Sequence, residues 1–553
     1  MSADWRHTRS AVLGRAVDAW LGLPPAVVPV PKVTKGLRIP MPDGVELIAD
    51  RYRPPGEAPL PVVLIRTPYG RSGPFMSLFG PVFARRGLQV VTQSARGTFG
   101  SGGKFWPFHQ ERDDGLATVA WLRAQPWCDG RIATAGASYL GHTQWALAPY
   151  LDEPLEAMCI GVGASEFVSS TYPGGAFALD NSLSWSALIG TQETPLSGLR
   201  QIHPLFGVRR RTRAAMSTLP LRDADVAAIG KPVRFFAEAT SNAETPEFWN
   251  PSDHSAGADS LTTPTSAVTG WYDLFLPAQL RDFARLRAAG CRARITIGPW
   301  GHGEPASYPA MVADQVSWLT AHLLGDRAQL QRSPVRLFLQ QANRWLHFDN
   351  WPPPSTAVPI FLRPGGHLGA QPAVSAPDAF TYNPADPTPS VGGLILIGKA
   401  KEQDNRRVEA RADVLVFTGD PLDRDLDLIG EITARIHVRT SSGHGDVFVR
   451  LCDVDQHGVS RNVTDGILRV RPDFPAADHD GVATAQLELT ATAYRFRRGH
   501  RLRVQVSGGA FPRFARNHGS GEPTATATTM TPYRIEIFHD PSRPSQLVLP
   551  VFG

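Results

Sequence analysis

A short apolar strand that leads through a Gly-x-Ser turn into a helix constrains this chain more than any other stretch. The segment runs Arg131-Ile-Ala-Thr-Ala-Gly-Ala-Ser138-Tyr-Leu-Gly141, and helix-forming residues follow from His142 to Ala148. Such a turn lifts a serine hydroxyl clear of a sheet and points the next backbone N–H into the same space. Gly141 stands one position later than in the usual Gly-x-Ser-x-Gly pattern. The stretch fits either a nucleophilic Ser138 or an ordinary turn in a chain with 51 glycines.

The residues around this turn alternate between apolar strands and helices. Continuous apolar runs are typical of strands that are covered on both faces, and a helical pattern between Asp113 and Ala124 separates two of them. This alternation predicts a doubly wound, mostly parallel α/β sheet. The predicted strands are Pro61–Arg66, Leu88–Gln93, Arg131–Ala135, Leu155–Gly161, Thr263–Thr269 and Arg294–Gly298.

Two changes of pattern divide the remainder of the 553 residues, a length that exceeds one hydrophobic core. Residues 166–261 lose the strand rhythm and carry helical fragments broken by prolines, which predicts a helical cap inserted into the sheet domain. Beyond residue 352, short alternating strands between Gly, Pro and Asp predict an all-β jelly roll. The predicted units are an N-terminal helical extension (1–31), an α/β domain in two parts (32–165 and 262–352), the cap (166–261) and the jelly roll (353–553).

Residues 3–23 place apolar side chains near helical spacing, which predicts an amphipathic helix. Two interpretations stay open: a helix docked on the body, or a contact with a membrane surface or a second subunit. Arg15 and Asp18 interrupt the apolar positions, unlike in a signal peptide, and no run approaches the roughly 18 apolar residues of a membrane span.

Four cysteines without C-x-x-C spacing predict a cytoplasmic location and no disulfide framework. The cysteines are Cys128, Cys159, Cys291 and Cys452.

Composition and motifs argue against several other classes of function. The net charge is only +5, and two arginine clusters, at residues 209–213 and 495–503, lack interleaved stacking aromatics, so we expect no nucleic-acid partner. The glycine-rich stretch Arg96–Lys104 lacks the Gly-x-Gly-x-x-Gly register, and Phe105 follows where a P-loop needs Ser or Thr. None of the 16 histidines falls in a His-Glu-x-x-His pattern. The sequence therefore predicts neither a nucleotide cofactor nor a catalytic metal.

Two later loops supply the partners that a nucleophilic serine needs. The serine requires a histidine base, and the base requires an orienting carboxylate. In sheets of this kind the carboxylate and then the histidine follow the serine, each on the loop after a later strand. Asp273 follows the strand Thr263–Thr269, and His302 follows the strand Arg294–Gly298. Order and context together favour Ser138, Asp273 and His302 as a catalytic triad over three unrelated loop residues.

Six short motifs, spread over most of the sequence, occur in order along the chain. They are Arg66-Thr-Pro-Tyr-Gly70, Trp127-Cys-Asp-Gly130, Gly136-Ala-Ser-Tyr-Leu-Gly141, Gly270-Trp-Tyr-Asp273, Gly298-Pro-Trp-Gly-His302 and Gly499-His-Arg-Leu-Arg-Val-Gln-Val506. This set resembles the motifs of the cocaine esterase and X-prolyl dipeptidyl peptidase family of serine hydrolases, from about Lys32 to Pro550. The resemblance implies an α/β-hydrolase sheet with an inserted helical cap and a C-terminal jelly roll. That family usually has Gly-x-Ser-Tyr-x-Gly at the turn that carries its nucleophilic serine, which accounts for the position of Gly141.

The resemblance implies a role for each matching residue of the site. Ser138 matches the nucleophile, His302 the general base and Asp273 its partner. Tyr69 matches a tyrosine whose hydroxyl forms an oxyanion hole together with the backbone N–H of Tyr139. A phenol suits this task because it is a fixed donor whose hydrogen bond strengthens as charge develops on the acyl oxygen.

The resemblance also bears on the substrate. Trp185 and Phe275 match aromatic pocket positions, although plain core packing explains them equally well. Amino-acid ester hydrolases of the family carry an acidic pair before a Gly-Ala-Phe segment, and the corresponding stretch Ser169–Phe177 contains no acid, which argues against a free α-amino group on the substrate. We therefore expect an esterase for a small-molecule substrate, active as a monomer or homodimer. An amide or peptide hydrolase is the enzymatic alternative, and a carbohydrate- or partner-binding protein with a vestigial hydrolase domain is the non-enzymatic one.

Overall fold

Two large sheets organise the protein: a ten-stranded sheet in the first two thirds of the chain and an eleven-stranded sheet in the last third. The structure is a computed structural model that describes residues 14–73, 75–193, 204–472, 474 and 478–553. Among these residues, no helix combines the length and the apolar character that crossing a membrane requires.

The first sheet is built from the alternating segments that the sequence indicates. Its strands are β1 Lys32–Pro40, β2 Glu46–Arg53, β3 Leu60–Thr67, β4 Gln89–Ser94, β5 Cys128–Ala137, β6 Ala157–Gly161, β7 Thr265–Tyr272, β8 Ala293–Gly301, β9 Val335–Leu339 and β10 Arg344–Phe348. They lie in the order β1-β2-β4-β3-β5-β6-β7-β8-β9-β10. The pairs from β4 to β9 are parallel, and the outer pairs are antiparallel. This arrangement confirms the predicted doubly wound sheet.

Helices cover both faces of this sheet and build the cap, and the last of them lies in the jelly roll. They are α1 (residues 14–20), α2 Gly80–Ala84, α3 Glu111–Arg123, α4 Tyr139–Trp145, α5 Val168–Thr171, α6 Leu179–Thr191, α7 Pro204–Ala215, α8 Ala224–Ile229, α9 Arg234–Ser241, α10 Leu276–Ala288, α11 Tyr308–Leu323 and α12 Arg406–Glu409. Successive residues of β3 serve opposite cores, because side chains alternate along a strand. Val63 and Ile65 pack with α2 and α11, whereas Val62 and Leu64 pack with α3 and α10.

The predicted N-terminal helix lies only partly within the described residues. Its first apolar positions, Trp5 and Val12, fall outside them, and the described part of α1 covers residues 14–20. Asp18 of α1 is buried and forms ion pairs with Arg85 and, at 2.6 Å, with Arg86. The described part of this helix is therefore docked on the sheet domain, beside the end of α2.

The second sheet forms the predicted C-terminal jelly roll. Its strands are β11 Thr356–Arg363, β12 His367–Gly369, β13 Asp378–Tyr382, β14 Val414–Thr418, β15 Leu426–Thr440, β16 Gly445–Val454, β17 Ser460–Val470, β18 Ala483–Phe496, β19 Arg501–Ser507, β20 Tyr533–Phe538 and β21 Gln546–Phe552. They follow the order β13-β20-β15-β21-β11-β12-β14-β19-β16-β17, and β18 also pairs with β15. A separate apolar core fills this domain, with alternate residues of β15 pointing into it.

Candidate active site

The turn between β5 and α4 holds Ser138 in a strained conformation. Its φ of 60° and ψ of −124° lie outside the regions that ordinary residues prefer. The turn is tight: a Cβ on Gly136, whose φ is 150°, would lie 2.4 Å from the Cβ of Leu140. Helix α4 begins at Tyr139, three residues earlier than the sequence pattern indicated, because the helix follows the serine directly. The geometry is that of a nucleophile elbow.

The three predicted triad residues lie within hydrogen-bonding distance of one another. Nε2 of His302 is 3.0 Å from Oγ of Ser138, and Nδ1 is 2.8 Å from Oδ2 of Asp273. Asp273 follows β7 and His302 follows β8, and these adjacent parallel strands end at the same sheet edge. Asp273 is fully buried, and its other oxygen accepts the backbone N–H of Phe275 at 2.8 Å. The carboxylate thus orients the imidazole so that Nε2 faces the serine.

Tyr69 lies on the loop after β3 and presents its hydroxyl to the same point. Nε1 of Trp185, on the cap helix α6, donates a hydrogen bond to this hydroxyl at 3.0 Å. Burial raises the pKa of Tyr69 to about 12, against smaller lowering effects of hydrogen bonds with Trp185 and Ser138. The phenol is therefore protonated at neutral pH and keeps a proton to donate. Tyr139 opens α4, so its backbone N–H is one of the first-turn groups that have no intrahelical partner.

A buried polar network holds the Tyr139 side chain in place. Its hydroxyl donates to Oε1 of Glu111 at 2.7 Å and accepts the backbone N–H of Phe108 at 3.0 Å. Glu111 in turn pairs with Arg66 at 2.9 Å. Burial raises the pKa of Glu111, and the Arg66 charge acts against that rise. The sequence analysis missed this network, which fixes the first turn of α4 and hence the direction of the Tyr139 N–H.

Two cavities meet at Ser138. The inner cavity holds about 60 Å³, and the outer cleft holds about 810 Å³. Ser138, Tyr69 and Trp185 line both of them. The inner cavity has a mainly aromatic wall formed by Phe108, Phe167, Trp185, Phe235 and Phe275. The apolar wall of the outer cleft is formed by Met76, Leu188, Tyr308, Met311, Ile395 and Ile397.

Both predicted pocket residues, Trp185 and Phe275, line the inner cavity, and Phe275 also packs edge-on against His302. The sequence analysis did not identify Phe108 and Phe167, whose rings stack 3.9 Å apart in the same wall. Phe167 follows β6 at the sheet edge that carries the triad, a position that could have indicated it. Phe108 stands on a loop, where no comparable sequence signal exists.

A carboxylate that the sequence analysis did not consider lines the inner cavity. Glu166 lies three residues before the Ser169–Phe177 stretch, in which no acid occurs. Its oxygens accept the backbone N–H of Ser169 at 2.9 Å and the hydroxyl of the same residue, and Arg281 pairs with it at 3.0 Å. The carboxylate is therefore present but already neutralised by an arginine.

The jelly roll contributes directly to both cavities through residues 395–403. Asn181 on α6 anchors this segment, accepting the N–H of Leu396 at 2.8 Å and donating to the carbonyl of Leu394 at 3.3 Å. Lys401 forms an ion pair with Glu304 at 2.7 Å, close to His302 in the chain. The site is consequently complete only when both domains are present.

Within the described ranges, one group of side chains has the spacing of metal ligands. The ligand atoms of Asp478, His479 and Asp480 lie within 4.8 Å of one another, and all three residues are exposed in the jelly roll. None of them lines either cavity. The group has no part in the site around Ser138.

Comparison with known proteins gives matches over nearly the whole chain. Residues 43–304 match the X-Pro dipeptidyl-peptidase (S15 family) model, and residues 329–548 match the X-Pro dipeptidyl-peptidase C-terminal non-catalytic domain. The chain is 31% identical to cocaine esterase from Rhodococcus sp. (strain MB1 Bresler), over 94% of this chain and 98% of that protein.

Two solved structures share the fold with a TM-score of 0.77 each. One is an aminopeptidase from a marine sediment Thaumarchaeota archaeon, 22% identical, with 95% of this chain and 96% of that chain covered. The other is an α-amino acid ester hydrolase, 21% identical, with 94% and 97% covered. At these identities the likeness concerns the fold alone.

Proposed function

Because this chain belongs to the family of the X-Pro dipeptidyl-peptidases (S15) and cocaine esterase, we propose that it is a serine hydrolase that cleaves carboxylic esters. The observation that carries the proposal is the continuous hydrogen-bonded chain Ser138–His302–Asp273 at the end of a strained elbow. A vestigial hydrolase domain would have no need to maintain that strain. The proposal therefore favours an enzyme over a binding protein.

The reaction follows from the positions of these groups. Oγ of Ser138 attacks the ester carbonyl while Nε2 of His302 takes its proton, and the buried Asp273 carboxylate stabilises the imidazolium that forms. The hydroxyl of Tyr69 and the N–H of Tyr139 donate to the oxyanion. His302 then protonates the departing alcohol, and a water molecule, activated by the same imidazole, releases the acid from Ser138.

The two cavities suggest how the ester is placed. The inner cavity would hold the acyl group and the outer cleft the alcohol, since Ser138 lies at their junction. A single water needs about 10–15 Å³ of such space, so about 60 Å³ accommodates on the order of four to six atoms of that size. This volume suits a short chain or a single ring. The outer cleft is large enough for a bulky apolar alcohol.

Peptide hydrolysis is the second candidate, because the S15 family model matches the catalytic half of the chain. A dipeptidyl-peptidase must bind the free amino terminus of its substrate, and a buried ammonium needs a carboxylate partner. Glu166 is the carboxylate that lines the inner cavity, and Arg281 already forms an ion pair with it. The ester with an uncharged acyl group is therefore preferred.

The proposed location and assembly rest on less specific observations. All four cysteines are free and buried, which is compatible with the predicted cytoplasmic location. A monomer or homodimer stays a prediction, to be measured by light scattering.

A fluorophosphonate label and a panel of p-nitrophenyl esters graded by acyl length test the proposal. We expect labelling of Ser138, and loss of both labelling and turnover in Ser138→Ala. Ser507→Ala is the control, since that serine lies in the jelly roll and lines neither cavity. Label found on another serine would contradict the assignment, and absence of any labelling would favour the binding-protein alternative.

A further inference from the structure

Two lysines of the jelly roll, Lys399 and Lys401, line the outer cleft, and the proposed mechanism uses neither of them. The ammonium group of Lys401 lies 2.7 Å from a carboxylate oxygen of Glu304, which neutralises it. Lys399 is exposed, and it forms no ion pair with any of the described residues. The cleft therefore carries one cation that has no counter-charge in the described part of the chain.

The acids in this part of the protein already have partners. Glu304 is the one acid among the described residues that line the cleft. Its Oε1 pairs with Lys401, and its Oε2 accepts the backbone N–H of Gly301 at 3.0 Å. Glu193, which follows α6, accepts the backbone N–H of Phe99 at 3.0 Å. An anion that enters the cleft therefore meets no unpaired carboxylate among the described residues of its wall.

A second cation, the guanidinium of Arg209 on the cap helix α7, lies beside the same jelly-roll segment. A Cβ at Gly398 would be 2.1 Å from Nη1 of Arg209, so the guanidinium packs on the backbone of the residue before Lys399. Gly398 itself lines the outer cleft. Arg209 belongs to the first arginine cluster of the sequence, and residues 194–222 contain six arginines and no Asp or Glu. This cluster thus reaches the outer cleft.

Arg209 influences the ionisation of Asp180 on α6 but does not pair with it. Burial raises the pKa of Asp180, and the hydrogen bond from Ser184 and the charges of nearby arginines, including Arg209, act against this rise. The Ser184 hydroxyl donates to Oδ1 of Asp180 at 3.0 Å, whereas Arg209 forms no ion pair with any described residue. The cap and the jelly roll therefore each bring an unpaired cation to residues 398–399.

We propose that Lys399, supported by Arg209, selects esters whose alcohol part carries an anionic group, so that the preferred substrates are short-chain acyl esters of apolar hydroxy acids. This inference rests on the proposed esterase function and names its substrate class. The apolar wall of the outer cleft contacts the body of the hydroxy acid, and the two cations attract its carboxylate. Each turnover consumes one water and releases the short acid, formerly bound to Ser138, and the free hydroxy acid.

The test uses acetate esters of phenols whose para side chain ends in a carboxylate, a primary amide or a trimethylammonium group. Side chains of propyl and of pentyl length separate the charge from the ring, so that the three phenols of each length leave with similar ease. Chromatography of the released phenol gives kcat/KM for each ester. The amide is the neutral reference for both charged esters.

For the wild-type enzyme at low ionic strength, we expect kcat/KM for the carboxylate ester of the better length to exceed that for its amide by about fivefold, as for partly exposed charge pairs with some electrostatic steering. The trimethylammonium ester should fall below the amide. At about 1 M NaCl the carboxylate-to-amide ratio should approach one, because the Debye length is then only about 3 Å. The preference should appear mainly in KM, since the cations lie away from the reacting carbonyl.

Variants of Lys399 test its part in the preference. Lys399→Met should lower the carboxylate-to-amide ratio, Lys399→Arg should keep it, and Lys399→Glu should bring it below one. Arg209→Met should lower it further in the Lys399→Met background. The matched control is Lys35→Met, because Lys35 is also an exposed lysine without an ion pair among the described residues, but it lies on β1 and lines neither cavity. This control should keep the wild-type ratio.

The possible outcomes separate this inference from the proposed function. A wild-type preference for the amide or the trimethylammonium ester at both lengths would overturn the inference, and so would a ratio that is unchanged in Lys399→Met and Lys399→Glu. If these variants do not fold, the salt dependence of the wild-type ratio decides, and a ratio that salt leaves unchanged would refute a charge-based preference. If no ester is hydrolysed, the proposed function fails; if esters are hydrolysed without a preference for charge, only the present inference fails.

Discussion

The hydrogen bond from Nε1 of Trp185 to the Tyr69 hydroxyl, 3.0 Å long, predicts that a cap residue tunes the oxyanion hole. In the proposed reaction, accepting that bond leaves the hydroxyl's own proton to be donated to the oxyanion. Trp185→Phe removes the indole N–H and keeps an aromatic ring against Tyr139, on which Trp185 stacks. Tyr69→Phe removes the proposed oxyanion donor itself.

The two substitutions should differ in size. Loss of one oxyanion donor lowers kcat by roughly 10²–10³, equivalent to about 2.7–4 kcal/mol. Loss of one ordinary buried hydrogen bond removes a net of about 0.5–1.5 kcal/mol, so Trp185→Phe should lower kcat by roughly 2–12-fold. Since the indole acts through the phenol, Trp185→Phe should lower kcat no further when Tyr69 is already phenylalanine.

A double-mutant cycle on kcat for one p-nitrophenyl ester, measured at saturating substrate, tests this coupling. Trp249→Phe is the matched control, because Nε1 of Trp249 donates to the Tyr172 hydroxyl at the same distance, 3.0 Å, and neither residue lines a cavity. That control should lower the Tm and leave kcat near the wild-type value. Additive effects of Trp185→Phe and Tyr69→Phe on kcat would refute the orienting role.

Three other predictions concern charge, domain structure and pH. For the wild-type enzyme, kcat/KM for a neutral acyl ester should exceed that for the matching α-amino ester by about tenfold. Arg281→Met should lower this ratio of kcat/KM values, because it removes the ion-pair partner of Glu166. Deletion of residues 353–553 should give insoluble protein, because residues 395–403 cover both cavities; a soluble, active truncation would contradict this. Burial raises the pKa of Asp282 to about 7, above its unfolded value, so this group lowers stability as the pH rises from about 4 to 7, by on the order of 4 kcal/mol. In Asp282→Asn, the free energy of unfolding measured with urea should no longer fall by this amount between about pH 4 and pH 7. A pH dependence of stability equal to that of the wild type would contradict the prediction.

The fold and the proposed triad were accessible from sequence because each depends on local, ordered signals. Continuous apolar runs marked the parallel strands, and the residue after such a strand lies at the carboxyl edge of the sheet wherever the chain goes next. Asp273 and His302 could therefore be predicted from the ends of β7 and β8. The start of α4 was predicted three residues late, since a strained φ at Ser138 has no signature of its own in the sequence.

The walls of the cavities could not be predicted in this way. Phe108, Phe235 and Leu396 belong to a loop, the cap and the jelly roll, and they meet only through tertiary packing. Glu166 lies three residues before Ser169–Phe177, the stretch in which the family resemblance would place acidic residues, so the resemblance does not point to it. No spacing rule links these positions, since the distances along the chain that separate them are set by the insertion and by the second domain.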